Sequence, residues 1–304
     1  MSDTIKLESS EPTLREKIQG DNNTTNLKSF YYLEDGSITF SILSTKYATK
    51  KLDKGVYNLS VVSTNNGYEL KLTKNEDREL LNNDLDFYYE DKIKNIYSKF
   101  FLPEIKQKIN TLGYNHKLGI LLYGKHGTGK TSMFKKYFNN AVNDNEALVF
   151  NVISPAGIGI WWDFLQKIRK VQDNPMVIFM DEFDEYFTEY GCETTLKRML
   201  DGTDSIDNCF FMMTTNYIDK IPETIKDRPS RIKYKIEVTG IQDERLISQF
   251  LSSSFDKIGM TVDFKKDVAS MKGKTIDELK QWILDRVMDI ESEQTQTKKL
   301  GFGK

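Results

Sequence analysis

Four short apolar runs, Gly119–Tyr123, Ala147–Ile153, Met176–Met180 and Cys209–Thr214, alternate with stretches of helical period. Each run is apolar at successive positions, so a strand built from it is buried on both faces. Helical patterns follow Lys130, surround Trp161–Val171 and cover Thr194–Leu200. This alternation predicts the α/β class, a parallel sheet sandwiched by helices. The chain has 304 residues, more than one domain of about 150 needs, so further units are expected beside the sheet.

Those units follow from changes of pattern. Residues 1–28 are polar without an apolar period and are expected to form a mobile arm. Phe30–Leu33 and Ile38–Ile42 then flank Asp35-Gly36, and Val56–Val62 and Tyr68–Leu72 flank Asn66-Gly67. Both dipeptides suit hairpin turns that need positive φ. A small β-rich N-terminal module is therefore predicted over 29–78, ending in the polar stretch Asn75–Asn83. The α/β domain is placed at 79–240, opening with a helix whose broad face carries Phe87, Ile93, Ile96, Tyr97 and Phe100. Pro103 is expected to open a second helix, where its missing N–H costs nothing. After Gly240 the strand-like runs stop. Leu246, Phe250 and Leu251, then Ile276, Leu279, Ile283 and Val287, follow helical spacing, which predicts a helical lid over 241–290 and a polar tail over 291–304.

Composition removes several classes. Lys and Arg number 43 against 45 Asp and Glu, a net charge of −2, which disfavours a strongly basic nucleic-acid binder. No apolar run approaches the 18 or more residues of a membrane helix. The N-terminus has no apolar stretch of the secretory kind. Cys192 and Cys209 are the only cysteines, so no disulfide framework is expected and a reducing, cytoplasmic compartment fits. His116 and His126 lack zinc-type spacing.

The chemistry is concentrated in one octapeptide. Gly124-Lys125-His126-Gly127-Thr128-Gly129-Lys130-Thr131, followed by Ser132, fits the phosphate-loop pattern G-x-x-x-x-G-K-[ST]. Its glycines let backbone N–H groups close around phosphate oxygens, Lys130 supplies charge to the β- and γ-phosphates, and the Thr131 hydroxyl takes Mg²⁺. The context agrees: Leu118–Tyr123 reads as the strand before it, and Met133, Phe134, Tyr137, Phe138 and Ala141 give the following helix an apolar face. The run Met176–Met180 ends in Asp181-Glu182. Asp181 is assigned to Mg²⁺ through water, and Glu182 to polarising the attacking water. Asp184 and Glu185 are expected on a solvated helix face. Thr214-Thr215-Asn216 closes the next strand, and an amide at the carboxyl end of a parallel strand points into the ligand crevice; a turn-forming asparagine is the competing reading.

Taken in order, the phosphate loop, Asp181-Glu182, Leu200-Asp201-Gly202, Thr214-Thr215-Asn216 and Arg228-Pro229-Ser230-Arg231-Ile232 resemble the AAA family of ATPases over about residues 85–290. In wording, Leu118–Ser132 and Leu200–Ile232 are similar to the Bcs1-type branch and its phage and bacterial relatives. The resemblance implies ATP and Mg²⁺ as ligands, Asn216 as a sensor that positions the attacking water, and Arg228 and Arg231 as arginines offered to the γ-phosphate of a neighbouring subunit. It implies a homo-oligomeric ring, expected to be a hexamer, that hydrolyses ATP to remodel a protein or protein complex. A nucleic-acid motor or loader and a slow assembly scaffold are the less favoured alternatives. Lys125-His126 stands where the family usually has two prolines, Ser230 where it has glycine, and Thr275-Ile276-Asp277 has no arginine at the second sensor. The Bcs1 type carries an N-terminal membrane helix; none is read here, so no membrane role is carried over. Relatives often place an aromatic loop after the second strand, facing the pore. Trp161 shares a stripe with Phe164, Leu165, Ile168 and Val171 and is expected in the core, whereas Ile158, Ile160 and Trp162 are the pore-loop candidates, with packing against the adjacent helix or subunit as the competing reading.

Overall fold

The structure is a computed structural model and describes residues 27–32, 38–44, 47–49, 51–64, 67–75, 90–188, 192–201 and 205–301. Most of the arm at 1–28, the stretch 76–89 with Phe87, and the tips of both hairpins lie outside the described residues.

Five strands come first: β1 (Leu27–Tyr32), β2 (Ile38–Ser44), β3 (Tyr47–Thr49), β4 (Gly55–Thr64) and β5 (Gly67–Asn75). Helices α1 (Glu90–Phe100) and α2 (Pro103–Thr111) follow, then β6 (Lys117–Tyr123), α3 (Lys130–Asn145), β7 (Leu148–Val152), α4 (Ile158–Val171) and β8 (Met176–Met180). After these come α5 (Cys192–Asp201), β9 (Cys209–Thr215), α6 (Glu223–Lys226), β10 (Tyr234–Glu237), α7 (Glu244–Lys257) and α8 (Ile276–Gly301). The strands form one ten-stranded sheet in the order β10-β6-β9-β8-β7-β4-β5-β1-β2-β3. Strands β10 through β4 in that order are parallel, and the remaining pairings are antiparallel.

Side-chain alternation assigns each strand residue to one of two cores. Leu121, Phe150, Ile178 and Phe211 face Trp161, Phe164 and Leu165 of α4 and Leu196 and Met199 of α5. Their neighbours Ile120, Leu122, Val149, Phe179, Phe210 and Met212 face α1 and α3, where Ile93, Tyr97, Phe100, Met133, Phe134 and Phe138 lie buried. The α3 face is the one expected from sequence, with Met133, Phe134, Tyr137, Phe138 and Ala141 all buried. A third core, Ile247, Leu251, Phe255, Met271, Leu279 and Ile283, sits in the lid. Its α7 stripe runs through Ile247 rather than the expected Leu246.

Three expectations are corrected. Both hairpins at 29–78 form, but they do not build a module of their own. Strand β4 pairs in parallel with β7, Gly55 opposite Leu148 through Leu59 opposite Val152, so the boundary at 78/79 separates strands of a single sheet. The reason is visible in Val56, Tyr57 and Leu59, buried on both sides of β4 as an interior parallel strand requires. Asn151 donates to Asn58 across that pairing at 2.8 Å, and the buried Gln172 accepts from the N–H of Leu52 at 2.7 Å and donates to its carbonyl at 3.1 Å. Second, α8 continues to Gly301 through most of the segment expected as a polar tail.

Third, the pore-loop candidates are not on the surface. Ile158 and Trp162 lie in the first turns of α4, 5% and 3% exposed, and Ile160 packs partly buried on the same core. Trp162 stands 6.1 Å from the ring of Phe211. Helix α4 is covered by the sheet, by α5 and by β4, so it buries more than one stripe. The carboxyl end of β4 also holds the preceding turn: the N–H of Ile153 donates to Leu59 at 2.9 Å, and Gly157, at φ +67°, lies against the Val61 side chain.

Candidate functional site

Strand order decides where the candidate residues meet. Strands β6, β9 and β8 are neighbours and their carboxyl ends are level, with Leu122 opposite Thr214 and Met213 opposite Met180. The loop leaving β6, Asn216 leaving β9 and Asp181 leaving β8 therefore converge at one end of the sheet, with Asn216 between the other two. The loop demands its glycines. A Cβ on Gly124, at φ +146°, would collide with the carbonyl of Val238, and one on Gly127, at φ +74°, would lie 2.8 Å from Asp277 Oδ2.

Lys130 opens α3 and is 6% exposed. Its Nζ donates to the carbonyls of Gly124 and Lys125, both at 2.8 Å, and to Asn216 Oδ1 at 2.7 Å. Burial pushes its pKa down and Asp181 pulls it back up; the net direction is down. Thr128 is buried and donates to the Lys125 carbonyl at 2.9 Å. Thr131 Oγ1 lies 3.0 Å from both oxygens of Asp181, which also accepts from the Thr214 hydroxyl. Glu182 is exposed and sits at φ +48°, a left-handed backbone rarely adopted by a non-glycine residue. Its carboxyl is raised above the ordinary value by partial burial first and then by the charges of Glu185, Asp181 and Asp184.

These groups surround a cavity of about 250 Å³ lined by His126, Gly127, Gly129, Lys130, Thr131, Ser132, Asp181, Glu182, Thr214 and Asn216. The expected residues Gly124, Lys125 and Thr128 stand behind its wall, where two carbonyls hold Lys130. The cavity is completed by Ile276, Asp277 and Lys280 of α8: the first two belong to the segment read as the second sensor, and only Lys280 was missed by the motif reading. The signal for their placement was present. Thr275 and Glu278 form a reciprocal cap, Thr275 N to Glu278 Oε2 at 2.6 Å and Glu278 N to Thr275 Oγ1 at 3.2 Å, the T-x-x-E signature of a helix start. The N–H of Asp277 then donates to the carbonyl of Gly127 at 3.1 Å, docking α8 on the loop.

Asp184 also departs from expectation. It is 6% exposed, accepts from Thr215 Oγ1 at 2.5 Å and lies 3.7 Å from Lys220 Nζ, so only Glu185 of that pair faces solvent. His126 meets the Tyr217 hydroxyl at 3.1 Å, tying the loop to the segment after Asn216.

Arg228 and Arg231 do not reach this cavity. They gather instead on Asp201 at the end of α5. Arg231 Nε lies 3.0 Å from Asp201 Oδ1 and its guanidinium donates to the Thr224 carbonyl, while Arg228 Nε lies 3.3 Å from Asp201 Oδ2. Ser230 Oγ donates to the same carboxylate at 2.7 Å. Burial raises the Asp201 carboxyl, but the bonds from Ser230 and Arg231 and both arginine charges outweigh it and hold it below the ordinary range. The geometry divides the expected pair: the Arg231 side chain is 7% exposed and committed within its own chain, whereas that of Arg228 is 61% exposed.

Residues 120–239 match the family model described as "ATPase family associated with various cellular activities (AAA)". Protein CdcH of Halobacterium salinarum is 29% identical over 157 residues, covering 47% of this chain and 20% of that protein. The 26S proteasome regulatory subunit 6B homolog of Aspergillus niger is 26% identical over 51% of this chain and 40% of its own. The vesicular-fusion protein SEC18 of Candida albicans is 27% identical over 53% of this chain and 23% of its own. The matches thus span less than half the length of these relatives. Among the described residues, no helix is long and apolar enough to cross a membrane.

Proposed function

Starting from the AAA ATPase domain at residues 120–239, we propose that this chain hydrolyses ATP at sites shared between the subunits of a ring, expected to be a hexamer, and uses the turnover to remodel a protein or protein complex in the cytoplasm. The observation that carries the reading is the convergence of Lys130, the Thr131–Asp181 pair, Glu182 and Asn216 on one cavity, while an exposed arginine stands outside it. Relatives named for the proteasome and for vesicular fusion support a protein assembly as the target.

Lys130 and the backbone of Gly127–Ser132 bind the phosphates. The donor set suits Mg²⁺: one hydroxyl and one carboxylate, already 3.0 Å apart, leave room for waters and phosphate oxygens, which this small ion prefers to a full protein cage. When bound there, the metal neutralises charge on the β- and γ-phosphates. Glu182 takes the proton of the attacking water, a role favoured by a carboxyl raised towards neutrality. Asn216, released from Lys130 when phosphate takes its place, orients that water. Arg228 of a neighbouring subunit supplies the cation opposite, and Arg231 with Asp201 holds the segment that presents it.

Nucleotide binding and turnover in two variants test this reading. Lys130→Ala loses tight ATP binding, whereas Glu182→Gln binds ATP like the parent and turns it over slowly. Equal turnover in Glu182→Gln and the parent contradicts the assignment of the base.

A further inference from the structure

The cavity wall carries two lysines and three acids, Lys130 and Lys280 against Asp181, Glu182 and Asp277. A nucleotide brings several more negative charges, so each cation on the wall matters. Lys130 has its three protons engaged by Gly124, Lys125 and Asn216. Lys280 is held far more loosely. Its side chain is 54% exposed, and its Nζ stands 3.8 Å from Asp277 Oδ1, beyond hydrogen-bond distance.

The surroundings place Lys280 within reach of phosphate. It shares one face of α8 with Ile276 and Asp277, all three on the cavity wall. Asp277 presses on Gly127 and hydrogen-bonds to that residue's carbonyl, which fixes the first turn of α8 on the phosphate loop. One turn later along the helix, a flexible ammonium side chain looks over the same space. Leu279 and Ile283 of α8 belong to the lid core with Ile247, Leu251 and Phe255 of α7, so a pull on α8 is transmitted to the lid as a packed body.

We propose that Lys280 is the lid's phosphate-binding residue: it leaves Asp277 for a phosphate oxygen when nucleotide enters, and so fastens the α7–α8 lid to the ligand. The contact is charge-assisted, stronger than its present long pairing with Asp277. This inference rests on reading the cavity as the nucleotide site and adds the side chain through which the lid senses occupancy.

Equilibrium titration of the full chain with fluorescent ATP and ADP analogues, in the presence of Mg²⁺, tests it. Lys280→Ala is expected to weaken both about tenfold, the scale of one hydrogen bond to a charged group, while Lys280→Arg stays within about twofold of the parent. The side chain is 54% exposed, so melting without nucleotide stays close to the parent's in Lys280→Ala, and the nucleotide-induced rise in Tm shrinks. Unchanged affinity in Lys280→Ala, or equal weakening in the alanine and arginine variants, overturns the proposal. Lys130→Ala serves as the reference. If it loses binding while Lys280→Ala does not, only the lid inference falls; if the parent binds neither nucleotide, the reading of the cavity falls with it.

Discussion

The phosphate-loop corner and the arginine corner of this molecule handle positive charge in opposite ways. At the first, Lys130 is buried but hydrogen-bonded only to neutral oxygens, two carbonyls, an amide and the Thr128 hydroxyl, which a phosphate can replace or join. At the second, Arg231 is equally buried but bound to a carboxylate, Asp201, that the fold holds ionised. The first cation is kept available and the second is spent on structure. Arg228, tethered to the same carboxylate from an exposed position, is the one free to leave. On the proposed shared-site reading, a single subunit presents a phosphate cradle without its opposing cation, and an opposing cation without a cradle.

The two corners are separated most sharply by Arg228→Ala, which is expected to leave ATP affinity near the parent value while reducing turnover by about 10³-fold or more, the scale of arginines supplied in trans. Steady-state turnover beside equilibrium binding reads this directly. Loss of binding with little effect on turnover would place Arg228 outside the chemistry. Next in size is Glu182→Gln, with turnover lower by about 10²–10⁴-fold and binding kept, measured by single-turnover hydrolysis. It acts within the cradle, so adding an Arg228→Ala partner cannot rescue it fully: each ring still contains interfaces that lack one group or the other.

Arg231→Ala breaks the comparison from the structural side. Removing one partner of a buried ion pair costs about 3 kcal/mol or more, so this variant melts at a clearly lower temperature whether or not nucleotide is present. Arg228→Ala, losing only a long pairing at an exposed side chain, melts close to the parent. Equal destabilisation by the two would erase the division of labour drawn here.

The smallest effect concerns pH. His116 is 3% exposed and stacked 4.4 Å from the Phe100 ring; burial lowers its pKa, only partly offset by Asn208 and Asp207. A lowered folded-state value means that the unfolded chain binds the proton first. The contribution is complete above the ordinary histidine pKa and is lost as pH falls from there through the folded-state value. Thermal melts at falling pH should show a slope that His116→Gln reduces.

How much was legible beforehand depended on whether a residue's role is local. The phosphate loop, the face of α3 and the strand ends carrying Asp181 and Asn216 are fixed by short-range pattern, and they lie where those patterns put them. The fate of β4 was not local. Its Val56-Tyr57-Asn58-Leu59 segment reads as one arm of a hairpin, and only the vacant edge of β7 turns it into the sixth parallel strand. Trp162 falls off the stripe yet is buried for the same reason, because a single apolar stripe assumes one covered side and α4 has several. The arginines were found by wording, but wording could not tell which was buried: that depended on Asp201 at the end of α5 meeting both of them. Lys280 carried no signal of its own beyond the helix start at Thr275 that places it.

The proposed chemistry requires that cradle and cation belong to different subunits. Measuring the ATPase rate per subunit against protein concentration, from about 0.05 to 20 µM with Mg²⁺, tests that claim most directly, with particle mass followed alongside. Mass action on subunit association predicts a specific rate that rises with concentration and levels off as the assembled particle forms. A constant, measurable rate from a particle that stays monomeric throughout would contradict it.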